Sequence, residues 1–220
     1  MSEYDESLRR MTLKLVYYGP ALSGKTTNLT RLHDLLNPQL KGEMMVLDTK
    51  NDRTLFFDML PVGLQTPSGL LIKIKLFTVP GQVAHDSTRK AVLSRADGVV
   101  FVADSQLNQR LNNAESFENL ANNVNKVGVN FEKLPMVIQF NKRDLPQIET
   151  EAAIHHRWQP AGWPVVFASA LQGAGVVETF MALLASVYDT INAEYDLEVQ
   201  HKLSKTDFIH GITGHGDGCV

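Results

Sequence analysis

The chain has 220 residues, 44% hydrophobic and 20% charged, with a formal net charge of −3. That length suits one domain with a full core. The charge balance excludes an electrostatic footprint for nucleic acid and a polybasic membrane anchor. The single cysteine, Cys219, excludes a disulfide within the chain and suits a reducing cytoplasm.

The N-terminal MSEYDESLRR is charged and lacks the apolar core of a signal peptide, so residues 1–11 read as an extension. No apolar run approaches the roughly 20 residues of a membrane span. Organised structure is expected from Thr12, where TLKLVYY has the length and composition of a buried strand. GPALSGKT follows, then TNLTRLHDLL with Leu29, Leu32, Leu35 and Leu36 at helical spacing. Gly19, Gly24, Lys25 and Thr26 stand in the order G-x-x-x-x-G-K-T between that strand and that helix, the context a phosphate loop requires. The glycines let the backbone curl so that N–H groups point at phosphate oxygens, and the helix adds its positive end. The cradle comprises Gly19, Ala21, Leu22, Ser23, Gly24, Lys25, Thr26 and Thr27. Lys25 places its charge on the β- and γ-phosphates and Thr26 offers a hydroxyl to Mg²⁺.

Further along, MMVLD (44–48) is a short strand, and TKNDRTLFFDMLP mixes polar and apolar residues. From Leu70 to Val79, Leu71, Lys73 and Lys75 alternate with Ile72, Ile74 and Leu76, so this strand has one wetter side and belongs near an edge or under partial cover. A short helix spans 86–95. GVVFVA (98–103) is a central strand covered on both faces. A helix over 112–127 turns Phe117, Leu120, Val124 and Val127 inward, and MVIQF (136–140) is another buried strand. A helix near 149–158, the strand PVVFA (164–168) and a helix over 175–193 complete the pattern. Strands alternating with helices imply a mostly parallel sheet with helices on both faces and ligands at the carboxyl ends of the strands. Residues 196–220 are poor in apolar residues and end in GITGHGDGCV, so they read as a flexible tail. Cys219 lies too close to the end for a prenylation signal, and His210 and His215 are spaced too loosely for a metal site.

Asn141, Lys142, Arg143 and Asp144 directly follow a buried strand. An ionised carboxylate only accepts hydrogen bonds. Guanine presents two adjacent donors, its ring N1–H and its amine, and adenine lacks that pair. Asp144 therefore selects guanine, since adenine would leave it unpaired at a cost of about 1–3 kcal/mol. Asn141 can tie the loops together and the Lys142 stem can cover the base. Ser169, Ala170 and Leu171, after the next strand, supply a backbone N–H near the guanine oxygen.

The phosphate loop, NKRD and SAL in this order resemble the Ras-like small GTPases. YYGPALSGKTTNL, NDRTLFFDMLP, TVPGQ and DGVVFVADSQ narrow the resemblance to the bacterial MglA-type GTPases, switches of gliding motility and cell polarity, over 13–193. The resemblance implies an α/β fold, a single Ras-like P-loop G domain over 12–195, that binds GTP or GDP with Mg²⁺. Residues 48–58 would form the first switch, with Thr54 gripping the Mg²⁺ that Thr26 also holds. Gly81 would give its N–H to the γ-phosphate and Gln82 would orient the attacking water. Arg53 would be an arginine finger built into the chain, which makes Gln82, Arg53 and Lys25 the catalytic set. The implied partners are a roadblock-type, MglB-like activator and effectors that read the switch loops. The implied location is cytoplasmic, with recruitment to a pole or a membrane surface through partners.

Two departures from most Ras-like chains stand out: Thr78 replaces an aspartate behind the metal, as MglA-type chains also do, and Ala21 replaces a loop glycine. The Ala21 methyl crowds the place Gln82 must reach, which predicts slow hydrolysis and keeps open a GTP-binding scaffold that barely turns over. A P-loop kinase is the third class, and NKRD argues against it. Asp104 reads as a strand-end residue orienting a loop, Asp52 as a solvated or loop-pairing charge, and Lys50, Arg89 and Lys90 as surface charges.

Overall fold

The computed structural model describes residues 3–47, 57–79 and 86–214. Strands β1 (Glu3–Asp5), β2 (Arg10–Tyr18), β3 (Met45–Leu47), β4 (Phe57–Gln65), β5 (Leu71–Thr78), β6 (Gly98–Asp104), β7 (Met136–Asn141) and β8 (Val165–Phe167) join in one sheet. Its order is β3-β4-β5-β2-β6-β7-β8, with β1 antiparallel beside the start of β2. From β5 to β8 the strands run parallel, while β4 runs antiparallel to both neighbours. The helices are α1 (Lys25–Leu35), α2 (Asp86–Leu93), α3 (Arg110–Lys126), α4 (Glu151–Trp158), α5 (Val176–Tyr195), α6 (Leu197–His201) and α7 (Lys205–Thr213).

The β2 side chains divide the core. Leu13, Leu15 and Tyr17 pack with Leu29 and Leu32 of α1 and with Phe180, Leu183 and Val187 of α5. Val16 and Tyr18 face the other way, toward Leu120 and Val124 of α3 and Ile154 of α4. Strands β6 and β7 are buried along their whole lengths, as continuous apolar runs require when helices cover both faces. On β5, Ile72, Ile74 and Leu76 are fully buried while Lys73 and Lys75 are exposed. That strand lies inside the sheet between β4 and β2, and its wetness comes from a face the helices do not reach.

The expectations for both ends of the chain need correction, and one strand was not anticipated. The N-terminal extension is partly built into the sheet, because β2 begins at Arg10 and β1 pairs with it from Glu3. The mixed segment before Leu70 contains β4, which Pro61 and Gly63 obscure in the sequence. Pro61 is tolerated because its carbonyl accepts from the Gly42 N–H at 2.9 Å, so its nitrogen faces that same edge, past the end of the β3 ladder at Met59.

The larger correction concerns the expected tail, which is packed over 197–213. Leu197, Phe208 and Ile212 are fully buried, and Phe208 lies 5.5 Å, centroid to centroid, from Tyr188 of α5. The Tyr188 hydroxyl donates to the Leu203 carbonyl at 2.6 Å, and Ser204 caps α7 through the Asp207 N–H. Gly211 presses on β4, where a Cβ would fall 2.6 Å from Leu64 Cδ1. Few apolar residues suffice here because Phe208 and Ile212 are four apart and share one helix face. Phe208→Ala is expected to cost about 3 kcal/mol or more, read as a lower urea midpoint at unchanged slope. A loss below about 1 kcal/mol would show that α7 is only loosely docked. Residues 215–220, with His215 and Cys219, lie outside the described residues.

Candidate functional site

The loop from Gly19 to Gly24 joins β2 to α1 at the carboxyl edge of the sheet. Gly19 has φ 148°, and a Cβ there would fall 2.2 Å from the Val102 carbonyl oxygen. Gly24 has φ 98°, and a Cβ would fall 2.3 Å from Asn141 Nδ2. The two glycines therefore let the loop lie directly on the ends of β6 and β7. Ala21 and Leu22 are exposed, Thr26 stands exposed in the first turn of α1, and Thr27 is half-buried. The Ser23 hydroxyl is buried without a hydrogen-bond partner among the described residues. Lys25 is buried, and its ammonium donates to the carbonyls of Gly19 at 3.1 Å and Pro20 at 2.6 Å. An orphaned hydroxyl, a curled glycine backbone and a buried ammonium together fit a phosphate chain.

Asn141 joins this loop to the others. Its Nδ2 donates to the Ser23 carbonyl at 2.8 Å, and its Oδ1 accepts from the Ala170 N–H at 2.9 Å. Its own carbonyl accepts from the Ser105 N–H at 2.9 Å. One side chain thus links the phosphate loop to the end of β7 and the turn after β8. Ser169 and Ala170 are buried there, and Leu171 is exposed, with its carbonyl accepting from Arg31 at 2.8 Å. Lys142, at φ 66°, pairs with Asp104 at 2.6 Å. Asp104 also accepts from the Gln106 N–H at 3.0 Å, which is the loop-orienting role its strand-end position suggests. Asp144 is exposed beside this pair. Arg53, Thr54, Gly81 and Gln82, with Lys50 and Asp52, lie outside the described residues.

Three features escape a linear reading. Asn28 and Gln139 exchange amide hydrogen bonds at 2.9 and 2.8 Å, and Gln139 also donates to Thr179 at 2.8 Å. All three residues are fully buried, so α1, β7 and α5 are pinned beneath the phosphate loop. Gln139 inside MVIQF was the available signal, since a polar side chain in a buried strand must find partners. Arg89, expected on the surface, is instead 1% exposed. Its guanidinium donates to Asn119 Oδ1 at 2.8 Å and lies 5.4 Å from the Tyr18 ring centre, which fastens α2 to α3 and β2. Lys90 is half-buried. Glu149 is also buried, among arginines.

Burial, followed by the charges of Arg89 and Lys142, pushes the Lys25 ammonium down to about 7. The unfolded chain keeps that proton up to the ordinary lysine value of 10.5, so between these pH values it binds more protons than the folded chain. Stability of nucleotide-stripped protein is therefore expected to rise with pH across that window and to be level in this group's contribution below about 7. Denaturation at several pH values checks this, and Lys25→Met should flatten the rise. An identical slope in that variant would contradict it.

The glycine loop before α1, fitted to a phosphate chain, and the turns after β7 and β8, tied to it by Asn141, share the carboxyl edge of one sheet, which is the frame of a small GTPase, a class that binds GTP and GDP. The chain matches the ADP-ribosylation factor (Arf) family over residues 3–187 and belongs to it. It is similar to the mutual gliding-motility protein MglA of Myxococcus xanthus (strain DK1622), with 45% identity over 187 residues, 83% of this chain and 94% of that protein. Helix α7 lies beyond the family match. Among the described residues, no helix is long and apolar enough to cross a membrane.

Proposed function

We propose that this GTPase is a magnesium-dependent switch that controls cell polarity or gliding motility, activated by a roadblock-type dimer of the MglB kind. The tie from Asn141 to both Ser23 and Ala170 carries the reading, because it couples the phosphate end of the site to the guanine end. The MglA relative supports the motility output. Phosphate sits on the loop from Gly19 to Thr27, the base sits between Asp144, Lys142 and the 169–171 turn, and Thr54 and Gly81 hold the switch loops on the γ-phosphate. Loss of that phosphate releases both loops, and effectors distinguish the two states.

Bound Mg²⁺ would neutralise charge on the phosphate oxygens. The Thr26 and Thr54 hydroxyls are hard oxygen donors suited to it, and the nucleotide supplies the remaining oxygens. Among the described residues no group of three His, Cys, Asp or Glu side chains could hold a metal, and this arrangement needs none. A location at a cell pole or membrane surface would be reached through partners.

The test is to load the protein with GTP or GDP, capture partners from native extract with each form, and measure phosphate release with and without what binds. Capture by the GTP form alone, with release quickened by the partner, is the expected result. Equal capture by both forms sinks the switch. Ala21 favours a second reading, a scaffold set by occupancy. Intrinsic turnover is expected to be slow, and a partner that leaves it unchanged decides for the scaffold. A single-turnover rate as fast as that of a P-loop enzyme with its arginine already in place would contradict the crowding by Ala21.

A further inference from the structure

Glu149 is 2% exposed, and it collects arginines. Its carboxylate pairs with Arg110 of α3 at 3.1 Å and with Arg157 of α4, and its carbonyl accepts from Arg143 at 2.7 Å. Arg110 and Arg157 also line a hollow of about 270 Å³ between α3, α4 and the sheet. Phe101 and Phe140 come to it from β6 and β7, and Phe117 and Trp158 from the two helices, with their rings edge to face at 4.8 Å. The Trp158 Nε1 is buried and has no acceptor among the described residues. Glu118 borders the hollow just over two turns along α3 from Arg110, about 12 Å away. Where Arg110 and Arg157 line the hollow, two cations therefore share the one carboxylate of Glu149.

We propose that this hollow binds a small carboxylate with a single-ring apolar body. The carboxylate takes the charge that Arg110 and Arg157 have left over from Glu149, in the planar geometry guanidinium favours. The ring lies among Phe101, Phe140, Phe117 and Trp158, where aromatic edges and faces complement another ring. The volume is close to the lower end of small-molecule sites, roughly 300 Å³, which limits the occupant to one ring and a short chain. Nothing in the site depends on the nucleotide reading.

Both tryptophans of the chain, Trp158 and Trp163, stand in this aromatic cluster, so intrinsic fluorescence reports on it directly. The full chain is titrated with 4-phenylbutyrate and, in parallel, with the neutral 4-phenyl-1-butanol. The expected result is a saturable change with the acid and at least tenfold weaker binding of the alcohol. Arg157→Gln should weaken binding of the acid about tenfold. Ala114→Met, on the exposed side of α3 at the mouth of the hollow, should abolish it while thermal melting stays at the parent value. Fluorescence that changes without saturating, equal binding of the alcohol, or undiminished binding by folded Ala114→Met overturns the proposal.

Discussion

An Asp144→Asn protein is expected to lose guanine nucleotides and accept xanthine nucleotides. Guanine offers Asp144 two donors side by side, and a carboxylate accepts both. An amide keeps one acceptor and presents its own NH₂ to the guanine amine, so two donors meet and neither is satisfied. Xanthine carries a carbonyl where guanine has that amine, and the asparagine amide matches it group for group. Two unsatisfied groups, at about 1–3 kcal/mol each, set the exchange at about 10²–10⁴-fold in each direction. Asp144 is exposed and the adjacent Lys142–Asp104 pair forms independently of it, so the substitution leaves the loop frame in place. Competition between labelled GDP and XDP measures the effect. Retention of GDP affinity within about threefold would place the base elsewhere.

Arg53→Ala is expected to slow activated hydrolysis by about 10³-fold or more while leaving GTP affinity near that of the parent. Hydrolysis spreads negative charge over the transferring phosphoryl oxygens and the leaving bridge oxygen. A guanidinium placed there acts on the transition state and little on the ground state, so the loss appears in turnover. Arg53→Lys should recover little, because a point charge cannot span two oxygens as the planar fork does. Single-turnover phosphate release with a roadblock-type dimer present is the measurement. A variant that matches the parent would return Arg53 to the role of a solvent-facing loop residue.

What the sequence discloses here follows from how local each determinant is. The phosphate loop and NKRD are contiguous runs whose chemistry depends on spacing within a few residues, so they can be read directly. Burial of β6 and β7 is equally plain, because GVVFVA and MVIQF have no wet face. The Asn28–Gln139–Thr179 spine comes from three elements far apart in the chain, and only the fold brings it together. Arg89 looks like an ordinary helix charge until Tyr18 and Asn119 are placed around it. Strand β4 was hidden because Pro61 lowers strand propensity, and its tolerance there depends on an edge visible only in the assembled sheet. Helix α7 was hidden by composition, since two apolar residues on one face carry most of its docking.

The contact between Gly211 and Leu64 bears on how the first switch can move. In the chain, residues 48–56, with Arg53 and Thr54, run between β3 and β4, and β4 meets α7 near its other end, at Leu64. Sliding β4 along β5 by two residues is a travel of about 7 Å, and it would drag Leu64 across a helix backbone that has no side chain to yield. Strand β4 is moored by α7 at Leu64, and any partner that slides β4 works against that mooring.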